Sequence, residues 1–297
     1  MAFNKKTKVA FLGGDMRTAI AASRLADKMD IYTWRVAGTE GETAVSFCEE
    51  LSEAVAGADA VILPLPTSLD GKTLNCGRDD QGEKVALRDI VDAIDKNSIV
   101  AGGRLPVDLV QYTTQLGIRT VDYFESEVFQ INNAYTTAEA ALNIAMNSLL
   151  KNIRGASFAI TGYGRISKQL VRLLRMMDAR VCVAARKDSD LAWARLGGCE
   201  VLKLTGKSAT KALASGYDVI FNTVPYPLFD EDFLRSVDKR TILIELASTP
   251  GGIDVSAAKR LRSAVLWAAS LPGKYAPQSA GELIADCVEN ILGTEVE

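Results

Sequence analysis

The sequence predicts an α/β chain of two doubly wound, Rossmann-like parallel-sheet domains with linking helices. Three observations predict it. Short apolar runs alternate with helical stretches along the whole chain, the pattern of parallel strands covered on both faces. The alternation occurs twice on one plan. In each half the first strand ends in glycines (Gly13-Gly14; Gly162 and Gly164) and the third in proline (Pro64-Leu65-Pro66; Thr223-Val224-Pro225). At 297 residues the chain has room for two domains of ordinary size.

Taken in order, the first half places strands at 8–12, 30–34, 60–63, 98–101 and 119–122, with a helix over 18–27 after the first glycine turn. Residues 71–83 are polar and glycine-rich and read as a loop over a cleft, with Arg78 reaching in. Thr136-Thr-Ala-Glu139 has the form of a capping box and opens an Ala-, Leu- and Met-rich helix to about Leu150. The second half places strands at 157–161, 180–184, 218–222, 241–245 and 264–267, followed by a turn at Leu271-Pro-Gly-Lys274. Ser279-Ala-Gly-Glu282 repeats the capping pattern before a stripe of Leu283, Ile284, Cys287, Val288, Ile291 and Leu292. The expected organisation is a substrate domain at 1–135, an inter-domain helix at 136–151 and a nucleotide-binding domain at 152–278. The last helix, 279–297, is expected to return to the first domain or to the interface. Ligands are expected in a cleft facing the carboxyl ends of both sheets.

The most informative motif is the strand, glycine turn and helix running from Ser157 through Gly162-Tyr163-Gly164-Arg165-Ile166 to Leu174. Gly162 permits a tight turn, Gly164 lets the backbone approach a pyrophosphate, and the helix after it points N–H groups at the anion. The third position of the fingerprint is Ser167, small but not glycine or alanine, which weakens the match. The second strand of this half ends at Arg186 and Lys187. A carboxylate usually stands there to bind the ribose hydroxyls of NAD; a guanidinium suits the 2′-phosphate of NADP. NADP is therefore the expected cofactor, with NAD as the alternative. Thr223, Val224 and Pro225, with Ala247 and Ser248 beyond the next strand, complete the expected cofactor site.

Composition excludes several classes. The chain contains no histidine, so no imidazole serves as base or metal ligand, and no metal site is expected. Five scattered cysteines without a CxxC pair read as reduced packing thiols. A net charge of −3 offers no basic face for nucleic acid or anionic lipid. No apolar run is long enough to span a membrane and none follows Met1 as a signal core, so a cytoplasmic protein is expected.

In the first half, Gly13-Gly14-Asp15-Met16-Arg17 lacks the GxGxxG spacing, so a second dinucleotide is not expected. Arg17 and Arg104 stand at strand ends as candidate anion clamps, with Thr67 and Ser68 as further substrate contacts. For either arginine a surface salt bridge is the competing role.

The ordered set Leu12-Gly-Gly-Asp15 with Arg17, Pro64-Leu-Pro66, Gly162-Tyr-Gly-Arg165, Ala247-Ser-Thr-Pro-Gly-Gly252 and Leu271-Pro-Gly-Lys-Tyr-Ala-Pro277 resembles the dipicolinate synthase A subunits nearly end to end. The resemblance implies NADP-dependent oxidation of dihydrodipicolinate to dipicolinate. It also implies a partner, the flavoprotein-like B subunit, together with a homo-oligomer and a place in the mother cell of a sporulating bacterium. A ring with two carboxylates suits two cationic contacts, and its aromatisation supplies much of the driving force. What is left to the protein is to orient ring and cofactor and accept a proton. Without histidine, Glu125 is the first choice of base and Lys274 the second. The alternatives are another amino- or hydroxy-acid dehydrogenase, or a non-catalytic NADP-binding protein.

Overall fold

The computed structural model describes residues 6–39, 43–77, 80, 82–205 and 207–293; Arg78 lies outside them. The chain divides into two compact units, Met1–Asn133 with Ala276–Glu297, and Ala134–Tyr275.

The first unit runs β1 (Lys8–Leu12), α1 (Met16–Leu25), β2 (Asp30–Trp34), β3 (Ser46–Phe47), α2 (Leu51–Val55), β4 (Ala60–Ile62), α3 (Leu87–Ala93), β5 (Ile99–Gly102), α4 (Val107–Gln115), β6 (Thr120–Asp122) and a 3-10 turn, Tyr123–Glu125. Helix α5 (Glu127–Ser148) leads into the second unit. There follow β7 (Ser157–Thr161), α6 (Arg165–Met176), β8 (Arg180–Ala185), α7 (Asp188–Leu196), β9 (Glu200–Lys203), a 3-10 segment (Lys207–Leu213), β10 (Val219–Asn222), α8 (Glu231–Ser236), β11 (Ile242–Glu245), α9 (Val255–Leu261), β12 (Val265–Trp267) and α10 (Leu271–Tyr275). Helix α11 (Pro277–Gly293) belongs to the first unit.

The two sheets have one topology. Their strand orders are β3-β2-β1-β4-β5-β6 and β12-β11-β10-β7-β8-β9, with every pairing parallel. Read from the first strand of each unit, both are the doubly wound order of dinucleotide-binding folds. The order reverses between β1 and β4 in one sheet and between β7 and β10 in the other.

The strands form because alternate residues are apolar on both sides. Val9 and Phe11 pack with α1 and α11 residues, while Ala10 and Leu12 enter the opposite layer. In the second sheet Phe158 and Ile160 pack against Leu170, Val171 and Leu174 of α6, and Ala159 faces the other layer. Phe158 stacks on Phe221 of the neighbouring strand at 6.0 Å.

Strands β3 and β9 were not predicted. Both are edge strands, one a two-residue exposed pair and the other half-buried, so neither carries a continuous apolar run. The predicted helix from Thr136 starts at Glu127 instead. Nothing in residues 127–135 breaks a helix. Ser126 caps it through its Oγ, which accepts Phe129 N–H at 3.4 Å, and Glu139 is taken by the Tyr135 hydroxyl one turn back. Ser279 likewise is not a cap: α11 starts at Pro277, where the missing N–H costs nothing. The predicted Leu271–Lys274 turn is the short helix α10. Helix α1 starts at Met16, before the predicted 18, because the Asp15 carboxylate accepts Arg17 N–H. Gly281 lets α11 lie against α1: a Cβ there would sit 2.7 Å from the Arg17 carbonyl and from Ile20 Cβ.

Candidate active site

In the second unit the glycine turn stands at the point where the strand order reverses. Gly162 takes φ +85°, and its N–H donates to the Ala184 carbonyl at 2.8 Å. A Cβ at Gly162 would lie 2.7 Å from Thr223 Oγ1, so both the angle and the space require glycine. Gly164 is the N-cap of α6 and is exposed; a Cβ built there meets nothing within 4 Å. No side chain caps the helix, and its first turn carries no acid. The cradle fits a dinucleotide pyrophosphate, which needs an approachable backbone and a helix N-terminus.

Ser167 is fully buried, and its Oγ lies 2.9 Å from Thr223 Oγ1, which in turn donates to the Thr161 carbonyl at 2.8 Å. The substitution that weakens the sequence motif thus ties α6 to the end of β10. Tyr163 and Ile166 are half-buried beside the turn, and Arg165 is exposed. Past β8, Arg186 and Lys187 are exposed, and among the described residues neither guanidinium nor ammonium has an ion-pair partner. The neighbouring carboxylate of Asp188 is held by Lys203.

Thr223, Val224 and Pro225 leave β10, while Ala247 and Ser248 follow β11. Two residues absent from the sequence-based list hold these loops. Asn222, wholly buried, accepts the Thr161 hydroxyl at 2.6 Å and Val224 N–H at 3.2 Å on Oδ1. Its Nδ2 donates to the Val224 carbonyl at 3.1 Å and to Glu245 Oε1 at 2.7 Å. Glu245, 1% exposed, also accepts Ala247 N–H at 2.9 Å, Gly252 N–H at 2.8 Å and Ile253 N–H at 3.1 Å. A charged residue ending the apolar run Ile-Leu-Ile was the available signal.

In the first unit the loops after β1, β4, β5 and β6 come together. Arg17 is not an open anion clamp. Its guanidinium donates to both Asp15 oxygens at 2.9 and 2.8 Å and to the Leu65 carbonyl at 2.5 Å, so it fastens the β4 loop to α1. Thr67 is also corrected: its side chain is fully buried and its hydroxyl is spent on the Pro64 and Gly103 carbonyls at 3.1 and 3.2 Å. Ser68 donates to Asp70 at 3.0 Å within a tight turn, whose N–H and hydroxyl donors hold the Asp70 carboxyl far below the usual range.

Arg104 is different. It is exposed, takes φ +54°, and stacks its guanidinium 4.5 Å from the Phe124 ring centre. The Asp122 carboxylate sets that turn by accepting the N–H groups of Arg104, Leu105 and Phe124 at 3.0, 2.8 and 2.9 Å. Glu125 is exposed next to Phe124, and Lys274 is exposed on α10; neither has a side-chain partner among the described residues. Burial pushes the thiols of Cys76 and Cys287 up to about 11, which makes them packing groups rather than nucleophiles.

No helix among the described residues is long and apolar enough to cross a membrane. Residues 8–124 match the family described as the N-terminal domain of the dipicolinate synthase A subunit. The dipicolinate synthase A subunit of Bacillus subtilis (strain 168) is 26% identical over 287 residues, 96% of this chain and 95% of that protein. A crystal structure of the same Bacillus subtilis polypeptide superposes with a TM-score of 0.84, covering 99% of this chain and 98% of that one. The crystal structure of the Bacillus halodurans counterpart gives 0.84 at 25% identity over 96% and 97%. The apo-structure of Escherichia coli D-lactate dehydrogenase, 14% identical, gives 0.63 over 97% and 96%, a likeness of fold.

Proposed function

Starting from a chain that belongs to the family of dipicolinate synthase A subunits, we propose that it oxidises dihydrodipicolinate to dipicolinate with NADP. The observation that carries this reading is the open glycine cradle of the second unit, flanked by Arg186 and Lys187 where an NAD site needs a carboxylate.

NADP, when bound, accepts the hydride released from the substrate ring. The chain's residues do the rest. Gly162, Tyr163, Gly164, Arg165 and Ile166 hold the pyrophosphate at the head of α6. Arg186, seconded by Lys187, holds the 2′-phosphate by charge-assisted hydrogen bonds. The loops Thr223-Val224-Pro225 and Ala247-Ser248 carry the remainder of the dinucleotide. In the first unit Arg104 binds a ring carboxylate, its guanidinium plane fixed by Phe124 and its backbone by Asp122. Glu125, next in the chain to Phe124, accepts the proton lost as the ring becomes aromatic, with Lys274 the second candidate. The second unit is thus the cofactor domain and the first the substrate domain. The family name supports a B subunit for a partner, and with it work in the mother cell of a sporulating bacterium as a homo-oligomer.

The test is a fluorescence titration of the full chain with NADPH and NADH, with and without dipicolinate. Preference for NADPH, tightened by dipicolinate, is the expected result. NADPH preference indifferent to dipicolinate points to a nucleotide-binding protein without this substrate. Binding of neither nucleotide overturns the cofactor assignment.

A further inference from the structure

We infer that Asn222 and Glu245 form a buried clasp that positions the nicotinamide half of the dinucleotide without touching it. The inference rests on the reading of the second unit as the NADP domain. A dinucleotide spans the point where strand order reverses, which in this sheet lies between β7 and β10. The pyrophosphate belongs at the head of α6, and Arg186 marks the β8 side as the adenosine side. The nicotinamide half then falls over β10 and β11. On that side the loops at 223–226 and 246–253 begin at Asn222 and Glu245.

The two side chains define both loops. Glu245 is a buried carboxylate with no cation beside it among the described residues. Its charge is balanced by three backbone N–H groups and one amide. Burying a carboxylate is costly, and the return here is geometric: only a carboxylate accepts on both oxygens. A glutamine at 245 must aim its NH2 either at Asn222 Nδ2 and Ala247 N–H or at Gly252 and Ile253 N–H, donor against donor. The loop has little freedom to adjust. A Cβ at Gly252 would lie 2.4 Å from Asn222 Nδ2, and Gly251, at φ +82°, has Trp267 2.9 Å from the same position. Asn222 spans the gap between loops, bonded at once to Val224 and Glu245. The clasp therefore fixes the loop after β10 relative to the loop after β11, while the glycine turn and Arg186 hang on β7 and β8.

The division of labour gives the test its discrimination. Full-length wild type, Glu245→Gln and Thr161→Val are titrated with NADPH and with 2′,5′-ADP, which carries the adenosine 2′-phosphate but no nicotinamide. Glu245→Gln is expected to weaken NADPH at least tenfold and change 2′,5′-ADP less than twofold. Thr161→Val removes only the hydroxyl that donates to Asn222, and is expected to weaken NADPH about threefold with 2′,5′-ADP unchanged. It carries the test if the glutamine variant does not fold. Equal losses for both ligands would reduce the clasp to a general support of the domain and overturn the inference, as would unchanged NADPH binding. Wild type that binds NADPH but not 2′,5′-ADP would remove the adenosine anchor on which the reading stands.

Discussion

Arg186→Asp tests the cofactor assignment with a magnitude worked from the structure. The guanidinium is exposed and unpaired among the described residues, so its replacement breaks no internal ion pair and leaves folding intact. A hydrogen bond to a charged group contributes about 1.5–3 kcal/mol, and solvent exposure places this one at the lower end. Aspartate adds repulsion. At a separation of about 5 Å in water, one charge against a doubly charged phosphate gives roughly 1.7 kcal/mol, about halved by physiological salt with its Debye length of about 8 Å. The sum is on the order of 2.5 kcal/mol, a loss of about 70-fold in NADPH affinity. NADH has no phosphate at that position and gains a carboxylate that suits its ribose hydroxyls. The variant is therefore expected to bind NADH as well as wild type does, or better, and to reverse the preference. The assay is the same fluorescence titration, run at two salt concentrations so that the repulsive part shrinks at high ionic strength. An unchanged NADPH to NADH ratio would refute the reasoning and return Arg186 to the solvent.

Arg104→Ala is expected to raise the apparent KM for a dicarboxylate about tenfold, with kcat and NADPH binding little changed, since the side chain touches only Phe124; steady-state kinetics with the reconstituted enzyme decide it. Glu125→Gln should lower kcat at constant cofactor affinity, and full activity would eliminate it as the base. Gly281→Ala should destabilise the first unit by about 1–3 kcal/mol, because its Cβ meets the α1 backbone at 2.7 Å; a thermal melt that does not move contradicts the packing. At Asp218 burial acts to raise the carboxyl pKa, but the Lys151 ammonium and the Ser157 N–H outweigh it and hold it below its ordinary value. The folded pKa being depressed, this stability is present above the unfolded value and lost as pH falls through the folded one. Asp218→Asn should therefore cost about 1 kcal/mol at pH 7 and nearly nothing below about pH 3, by denaturant titration at both pH values.

The buried strands were legible in the sequence because both their faces are apolar, as at Val9-Ala10-Phe11-Leu12 and Phe158-Ala159-Ile160. Strands β3 and β9 were not, because an edge strand has one neighbour and no need of a hydrophobic run. The capping boxes misled for a related reason. Thr136 and Glu139 satisfy a local rule, but the continuing helix-compatible sequence before them and the aromatic contact of Tyr123 with Phe129 at 5.6 Å carry the helix further back. In the candidate site, the glycine turn and Arg186 follow from spacing. The roles of Arg17 and Thr67 did not, since their partners are carbonyls of Leu65, Pro64 and Gly103, brought near only by the fold. Asn222 and Glu245 were hidden in the same way: each bonds a group at least one strand away.

The two units start from one sheet topology and reach opposite states at the crevice where strand order reverses. In both, the first glycine takes a positive φ and donates to the second strand, Gly13 to Trp34 at 2.9 Å and Gly162 to Ala184 at 2.8 Å. Beyond that bond they diverge. In the first unit the Gly14 N–H is taken by the Asn75 carbonyl at 2.8 Å, and Gly77 packs so closely that a Cβ would lie 2.9 Å from the Gly14 carbonyl. Asp15 caps α1 with its own carboxylate, and Arg35, just past β2, is consumed by Asp80 and the Glu83 carbonyl. Every group that would meet a pyrophosphate or a ribose is already used by the chain. In the second unit Gly164 faces open space, α6 has no side-chain cap, and Arg186 has no partner among the described residues. The loop after β4, rather than the glycine count, separates a unit free to work on a small substrate from one open to a dinucleotide.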